Sequence, residues 1–338
     1  MRRLKTPVLM LLLLVVGPVR AAEGVAWLYE VAVPVSDQSA AERDRASSEA
    51  LSRLLVRLTG LSEVPRTPEV AAALAAPQTY YSEFSFAAAE DGGLDLVIQF
   101  DQDPVQALIR AAGLPIWRSY RERVLVWAVL QQGGERTLVG AASDLPLVNG
   151  LTAEARARGL PLTLPLLDLQ DQLAVDPAAV WGRLSQVVDA ASARYDADIV
   201  VLGRITADGS GGFASDWEFW IDGTLIPYAA EGDDLEGQGV ALVDLLADEL
   251  AARRVVHARE ANQLAISVSG VTSPAGYGAL LAYLGSLEFV ESVGVAGVRD
   301  GRLWLMLETP AEPARLLATF ERDGQLTDDQ LALVDSAD

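Results

Sequence analysis

The sequence predicts a multidomain protein that combines α+β and α/β units. Hydrophobic residues make up 51% of the 338 residues, which is enough to build more than one core. Stretches that alternate between apolar and polar residues are interleaved with apolar stripes at three- and four-residue spacing, so strands and amphipathic helices are expected in succession. The chain has no cysteine, so each unit must be stabilised by burial. We expect three units, at residues 25–120, 122–258 and 262–334.

The first unit is predicted to be a small open-faced α+β sandwich with the order β-α-α-β-β-α. Its long helix begins at a capping box, in which Ser39 and Glu42 bind each other's backbone amides, and it ends at Gly60. A shorter helix begins at Thr67, and Asp103 is expected to cap the last one. The crowded polar residues around Ser39 therefore indicate a helix start and not a catalytic site.

The middle unit is predicted to be a Rossmann-like, three-layer α/β unit with an antiparallel extension. The runs "RVLVWAVL" and "DADIVVLGRIT" are almost continuously apolar, as expected for strands covered on both faces. A third strand is expected within "GLPLTLPLLDL", and one uninterrupted helix is expected to follow Asp176-Pro177. A hairpin that turns at Asp222-Gly223 and the helix "GVALVDLLADELAARRVV" complete the unit.

The third unit is predicted to be ferredoxin-like, because its order is β-α-β-β-α with a further strand near Leu331. Thr309 and Glu312 have the spacing of a second capping box before "PARLLATFERD". The fold hosts many functions and implies none by itself.

The first 21 residues are predicted to be a secretory signal peptide. Arg2, Arg3 and Lys5 precede a nine-residue apolar run, and small residues precede an expected cleavage after Ala21. The run has about half the roughly 20 apolar residues that a membrane-spanning helix needs. We therefore expect periplasmic localisation, with no integral membrane segment after cleavage.

The charge of the mature chain excludes several classes of partner. Four of the 26 basic residues fall in the predicted signal, which leaves 22 against 47 acidic residues, a net charge of −25. Lys5 is the only lysine of the sequence. Nucleic acids and anionic membranes are bound by clustered lysines and arginines, so neither is an expected partner.

Most catalytic and cofactor chemistry is also disfavoured. His257 is the only histidine, so neither a serine triad nor a histidine metal site is indicated. The mature chain has no lysine for a Schiff base or a phosphate loop, and the glycines after Asp208 are expected to form a turn. We predict no cofactor, no metal site and no complete set of catalytic residues.

Paired carboxylates are the one catalytic option that the composition leaves open. Three pairs have i,i+2 spacing: Asp101 and Asp103, Asp196 and Asp198, and Asp216 and Glu218. Asp216 and Glu218 flank Trp217 and precede Trp220, so they are the candidate catalytic pair for a glycosidase, or ligands for calcium. The alternative, which the pattern favours, is a strand whose tryptophans face inward and whose acids face outward.

The N-terminal third carries an ordered set of motifs that resembles a known family. "VPVSDQSAAER" is followed by "ALSRLLVRLTG", "YYSEFSF", "LDLVIQFD" and "GLPIW". This order resembles the bacterial exported proteins of domain-of-unknown-function family 2066, and the resemblance extends to Leu130. It implies an envelope location and an α+β build, and it brings no reaction and no catalytic residues.

These observations predict a non-catalytic binding or scaffold protein of the bacterial cell envelope, whose partner is another envelope protein. The alternative is a carboxylate-dependent hydrolase that acts on an envelope glycan or on peptidoglycan, with Asp216 and Glu218 as its acids. A third possibility is a protein that responds to cations through its acidic surface.

Overall fold

The computed structural model describes residues 25, 27–89, 92–257, 261–324, 326 and 330–334. Within these residues the protein is a multidomain α+β protein with ten α-helices and three sheets. The predicted signal peptide at 1–21 lies outside them. None of the described helices combines the length and the apolar composition needed to span a membrane.

The first unit contains a three-stranded antiparallel sheet in the order β1-β3-β2, with helices packed against it. Its elements are β1 (Glu30–Val35), α1 (Ala40–Thr59), α2 (Pro68–Ala75), β2 (Tyr81–Ala88), β3 (Leu94–Phe100) and α3 (Gln102–Ala111). This is the predicted order. The apolar stripe of α1 is buried against the sheet, and Gly60 ends the helix at a φ of 72°.

Only half of the predicted capping box at α1 is present. The Glu42 amide donates to Ser39 Oγ at 3.3 Å, as predicted. The Glu42 carboxylate, however, accepts from the Ser36 amide at 3.1 Å. The Ser39 amide instead donates to Asp37 Oδ1 at 2.7 Å, because an aspartate two residues earlier reaches that amide through a local turn.

The middle unit has three layers, as predicted. Its elements are β4 (Val124–Gln132), β5 (Glu135–Val139), α4 (Pro146–Arg158), β6 (Leu162–Thr163), α5 (Leu169–Ala174), α6 (Pro177–Trp181), α7 (Ser185–Ser192), β7 (Ile199–Ala207), β8 (Phe213–Ile221), β9 (Thr224–Gly232) and α8 (Leu235–Arg254). The sheet order is β5-β4-β7-β8-β9, and β6 also pairs with β4. β4 is parallel to β6 and β7, and the remaining strand pairs are antiparallel.

One face of this sheet, here called the inner face, is covered by α4 and α8. The two helices approach closely because Gly150 lies directly against the backbone of Glu236. On the sheet, Gly203 pairs with Trp217 in the register, and a side chain at Gly203 would overlap the indole ring. Small residues at these two points permit the dense packing of the inner core.

The prediction of one continuous helix after Asp176 is wrong. Asp176 Oδ1 does accept from the Ala179 amide at 2.7 Å, but the helix divides into α6 and α7 at Gly182 and Arg183. Arg183 has a φ of 54°, which no α-helix contains. Glycine weakens a helix by about 1 kcal/mol relative to alanine, and ion pairs from Arg183 to the sheet favour the break.

The third unit is an antiparallel sheet in the order β11-β12-β10-β13. Its elements are β10 (Asn262–Val268), α9 (Pro274–Gly285), β11 (Ser292–Arg299), β12 (Arg302–Thr309), α10 (Pro313–Asp323) and β13 (Leu331–Val334). The βαββαβ order is the ferredoxin-like topology that the sequence predicted.

The second predicted capping box is not formed. Thr309 is the last residue of β12, where its Oγ1 donates to the Phe289 carbonyl at 2.7 Å and accepts from the Ala311 amide at 3.1 Å. α10 begins four residues later, at Pro313. Glu312 takes the N-cap position and makes no side-chain capping bond. The prediction placed the helix start too early, because Thr309 is still needed in the sheet.

The segment at 114–123 joins the three units. Ile116 pairs with Val256 through amide-to-carbonyl bonds of 2.8 and 2.9 Å, and the Trp117 amide donates to the Leu58 carbonyl at 2.9 Å. The apolar residues of the first and third units form one continuous hydrophobic core, to which Ile116 and Val256 belong. The first and third units are therefore packed together as a single hydrophobic body.

Charged side chains surround this segment in the interior. Arg121 is buried, stacks on Trp117 with its guanidinium carbon 3.8 Å from the ring centroid, and donates to the Arg57 carbonyl at 2.8 Å. Burial lowers the pKa of Arg121 to about 9. Arg118 pairs with the buried Asp323 at 2.9 Å. The contact between the joining segment and the third unit thus includes a buried ion pair, Arg118 with Asp323.

Candidate functional site

The face of the middle sheet opposite α4 and α8, here called the outer face, is only partly covered. α6 and α7 lie mainly over β4, β5 and β7, so the outer face of β8 and β9 extends beyond them. Trp220 and Leu225 are cross-strand partners on this open part. They are 43% and 46% exposed, respectively. An exposed tryptophan beside an exposed leucine is unusual for a surface with no binding role.

Asp216 and Glu218 stand on the outer face, and Trp217 between them is fully buried on the inner face. Arg183 lies against both acids, with Nη2 2.9 Å from Asp216 Oδ1 and Nη1 2.6 Å from Glu218 Oε2. The break between α6 and α7 brings this guanidinium to the sheet. Both carboxylates are therefore within ion-pair distance of the same guanidinium.

A groove of about 480 Å³ lies between α7 and the open part of the sheet. α7 contributes Val188 and Asp189 to its lining, β7 contributes Val200 and Leu202, and Trp220 lines it from β8. Its volume falls in the range of small-molecule and peptide pockets. The lining combines apolar side chains with the carboxylates of Asp189 and Asp198, so the groove can accept an apolar group that carries a positive charge.

The segment 166–174, which includes the short helix α5, exposes three leucines to solvent. Leu166, Leu169 and Leu173 are 60%, 71% and 79% exposed. Leu169 and Leu173 are four residues apart and therefore share one face of the helix. Burying a leucine contributes about 1.5–3 kcal/mol, so three leucines left in water form an apolar patch that is available for contact.

The segment that carries these leucines is held in place by its polar residues. Asp171 is completely buried and accepts from the Leu167 amide at 2.9 Å, from the Tyr195 hydroxyl at 2.5 Å and from Arg194 at 3.0 Å. Asp168 caps α5 by accepting from the Asp171 amide at 3.1 Å, and it also pairs with Arg194 at 2.7 Å. The leucines are thus displayed on an ordered support, which lowers the entropy cost of binding.

The exposed apolar side chains of the protein are concentrated on this side of the middle unit. Of the eleven large apolar residues that are prominently exposed in the described part of the chain, seven lie there. We call these seven the apolar surface: Leu166, Leu169, Leu173, Leu184, Val187, Trp220 and Leu225. Since α5 packs against α7, and α7 forms one side of the groove, the apolar surface borders the groove.

The other predicted carboxylate pairs have structural partners. Asp196 and Asp198 both pair with Arg123, and the bond from Arg123 Nε to Asp198 Oδ2 is 3.1 Å long. Asp101 accepts from the Ser82 hydroxyl at 3.0 Å. α3 begins at Gln102, with Asp101 at the N-cap position. The prediction that Asp103 caps α3 is therefore wrong by two residues, because Asp101 is the last residue with extended backbone.

The remaining sequence candidates are not part of the groove. His257 is exposed and lies beyond the end of α8. Asp208 accepts from the amides of Ser210 and Gly212 at 2.7 and 3.0 Å, which is the turn that the sequence predicted. Within the described ranges, no group of three or more histidine, aspartate and glutamate side chains is placed to hold a metal ion.

The comparison with protein families matches residues 22–118 to a Domain of unknown function (DUF8605). The match covers the first unit and leaves the middle and third units unmatched. It overturns the resemblance to domain-of-unknown-function family 2066, since a different family model fits the same residues. The motifs that suggested that family are a capped helix and a hairpin, which are local patterns that many α+β proteins share. No curated protein matches the chain.

The roles of Arg183 and of the exposed leucines on this side of the middle unit were not predicted from the sequence. Arg183 was placed inside a continuous helix, although Gly182 before it interrupts the helical pattern. The run "GLPLTLPLLDL", within which a strand is expected, ends at Leu169, so α5 is not predicted, although Asp168 and Asp171 have the three-residue spacing of a helix start. Both signals were present but weak beside the surrounding apolar runs.

Proposed function

We propose that this protein is a non-catalytic binding or scaffold protein of the bacterial cell envelope, and that it binds another protein through the apolar surface of its middle unit. The observation that carries the proposal is the concentration of exposed apolar side chains there, from Leu173 on α5 to Trp220 and Leu225 on the open sheet. A surface of this kind beside a groove is typical of protein–protein contacts.

The arrangement of the acids supports binding more than hydrolysis. A glycosidase needs one protonated and one ionised carboxyl group on either side of a substrate. Asp216 and Glu218 are instead joined through Arg183. The hydrolase prediction remains an alternative, because Trp220 shares the outer face with both acids.

The envelope location is proposed from the predicted signal peptide. Positive residues, an apolar run and a cleavage site after Ala21 have the order of a secretory leader. The acidic mature chain carries few groups that could bind nucleic acid, which supports a protein partner.

The proposal is tested by affinity capture from a chemically crosslinked periplasmic fraction. Tagged wild-type protein is compared with Trp220→Asp, which places a charge where the apolar surface lines the groove. Phe84→Asp is the matched control, because Phe84 is equally exposed, at 43%, but lies on β2 of the first unit. We expect one dominant partner with wild type and with Phe84→Asp, and a loss of at least about ten-fold with Trp220→Asp.

Equal capture by all three proteins would contradict the proposed surface. Turnover of glycan or peptidoglycan by the purified protein, abolished by Asp216→Ala or Glu218→Ala with the fold retained, would establish the hydrolase instead. Absence of the mature protein from the periplasmic fraction would refute the proposed location.

A further inference from the structure

We infer that the apolar surface takes a basic amphipathic polypeptide segment, one that carries apolar side chains flanked by lysine or arginine, and that the leucines of α5 are its main contact. This inference rests on the proposed function and adds the chemistry of the partner. It is carried by two observations: the ordered display of the leucines and the charge of their surroundings.

The ordered arrangement of the exposed leucines on α5 favours tight contact with a partner. Leu169 and Leu173 are the most exposed leucines of the described chain, yet the helix beneath them is fixed by the buried carboxylate of Asp171. Three donors converge on that carboxylate, from Leu167, Arg194 and Tyr195. Preorganised apolar side chains lose little conformational entropy on binding, so they are the kind of residue that dominates an interface.

The charges around the leucines are those of an acidic surface. Two arginines of this layer pair with acids, Arg183 with Asp216 and Glu218, and Arg194 with Asp168 and Asp171. Two others, Arg136 and Arg204, lie over the ring of Trp181 on α6. Two further acids have no arginine partner in the part of the chain that the structure describes: Asp176, at the start of α6, and Asp189, in the groove. The carboxylates of this layer therefore outnumber its arginines, and this excess of negative charge favours a positively charged segment.

The same charge argues against two other occupants. The chain has a formal net charge of −21, so a second copy and an anionic membrane would both be repelled at moderate ionic strength. A basic segment gains from that field, which steers it toward the surface and adds to the apolar contact.

The test uses the full-length mature protein and two synthetic fluorescent peptides. One peptide is an amphipathic helix of leucine and lysine, and the other has glutamate in place of every lysine. Binding is measured by fluorescence anisotropy for wild type, for Leu169→Asp with Leu173→Asp, and for Val298→Asp. Val298 is the matched control, because it is 70% exposed, close to Leu169, but lies on β11 of the third unit.

We expect wild type and Val298→Asp to bind the lysine peptide, and the α5 double variant to bind it about ten-fold more weakly or worse. The result is diagnostic because the added aspartates increase the attraction to lysine, so a loss must come from the missing apolar contact. The glutamate peptide is expected to show no binding. Unchanged circular dichroism and melting temperature establish that the variants are folded.

Three results would overturn the inference. The first is that the wild-type protein does not bind the lysine peptide, or that the α5 double variant binds it equally well. Another is equal binding of the two peptides. The third is a concentration-dependent dimer, or binding to phosphatidylglycerol vesicles, that the α5 variant abolishes. If these occur while Trp220→Asp still blocks capture of a periplasmic partner, the proposed function stands and only the chemistry of the partner is wrong.

Discussion

At Arg183 the backbone adopts a φ of 54°, and the side chain reaches two carboxylates of the neighbouring strand. A non-glycine residue in this region costs about 1 kcal/mol or more, so the contacts with Asp216 and Glu218 must offset that strain. The consequence extends beyond the residue itself. The turn at Arg183 ends α6, leads the chain into α7, and brings one guanidinium within ion-pair distance of both acids.

The stabilisation that ionised Glu42 provides at the start of α1 can be tested by changing the pH. Its pKa is lowered to about 2, chiefly by hydrogen bonds from Arg45, at 2.8 and 2.9 Å, and also by the Ser36 amide. Because the pKa of Glu42 in the folded protein lies below the ordinary glutamate value of 4.5, the stabilisation is present above that value and is lost as the pH falls toward 2. We predict that Glu42→Gln lowers the melting temperature at neutral pH and not near pH 2.

The measurement is thermal unfolding of wild type and Glu42→Gln, followed by circular dichroism across this pH range. A difference in melting temperature that stays constant with pH would show that Glu42 acts through packing and not through its charge. Glu83→Gln is a suitable control, because Glu83 is exposed on β2.

At the scale of elements, the close approach of α4 and α8 organises the middle unit. A methyl group at Gly150 would overlap the carbonyl of Glu236, which is backbone and cannot turn aside. We predict that Gly150→Ala destabilises the protein by about 1–3 kcal/mol, the usual cost of overpacking. This is measured by urea unfolding.

A glycine with free space around it provides the control. Gly278 lies in α9, and nothing lies within 4 Å of the position that its β-carbon would take. Gly278→Ala should therefore stabilise the protein by about 0.5–1 kcal/mol, because alanine favours the helix. Equal effects of the two substitutions would contradict the packing assigned to α4 and α8.

Elements with strong local signals could be predicted from the sequence, and elements that depend on distant contacts could not. The hairpin at Asp222-Gly223 follows from two residues that tolerate positive φ, at 50° and 75°. The ferredoxin-like order follows from periodicity alone. β5 was missed because its strand is short and mostly exposed. The break at Gly182 was missed because it depends on the partners that Arg183 finds on the sheet.

The candidate site was predicted only in part for the same reason. Asp216, Glu218 and Trp220 could be singled out because they adjoin in sequence. The leucines of α5 could not be linked to these residues, because fifty residues of chain lie between Leu169 and Trp220. Only the packing of α5 against α7 brings the two elements to one side of the unit. Exposure is likewise a tertiary property, which local composition does not reveal.

At the scale of the whole molecule, the first and third units share a hydrophobic core although the middle unit separates them in sequence. Neither can lose its packing without exposing apolar side chains of the other, such as Leu58 and Phe289. We predict that the two units unfold in one transition. Hydrogen exchange read by mass spectrometry during urea unfolding checks this, and earlier complete exchange of one unit would contradict it.

The same architecture places the apolar surface on the one unit that is not part of the shared core. The central claim is that this surface is where the partner binds. Its most direct test is a photo-crosslinking amino acid incorporated in living cells at Leu173 and Leu225, and, for comparison, at Phe84 and Val298, which are exposed on the other two units. We predict a light-dependent adduct of one higher mass from Leu173 and from Leu225, and none from Phe84 or Val298. Adducts confined to Phe84 or Val298, or equal at all four positions, would contradict the claim.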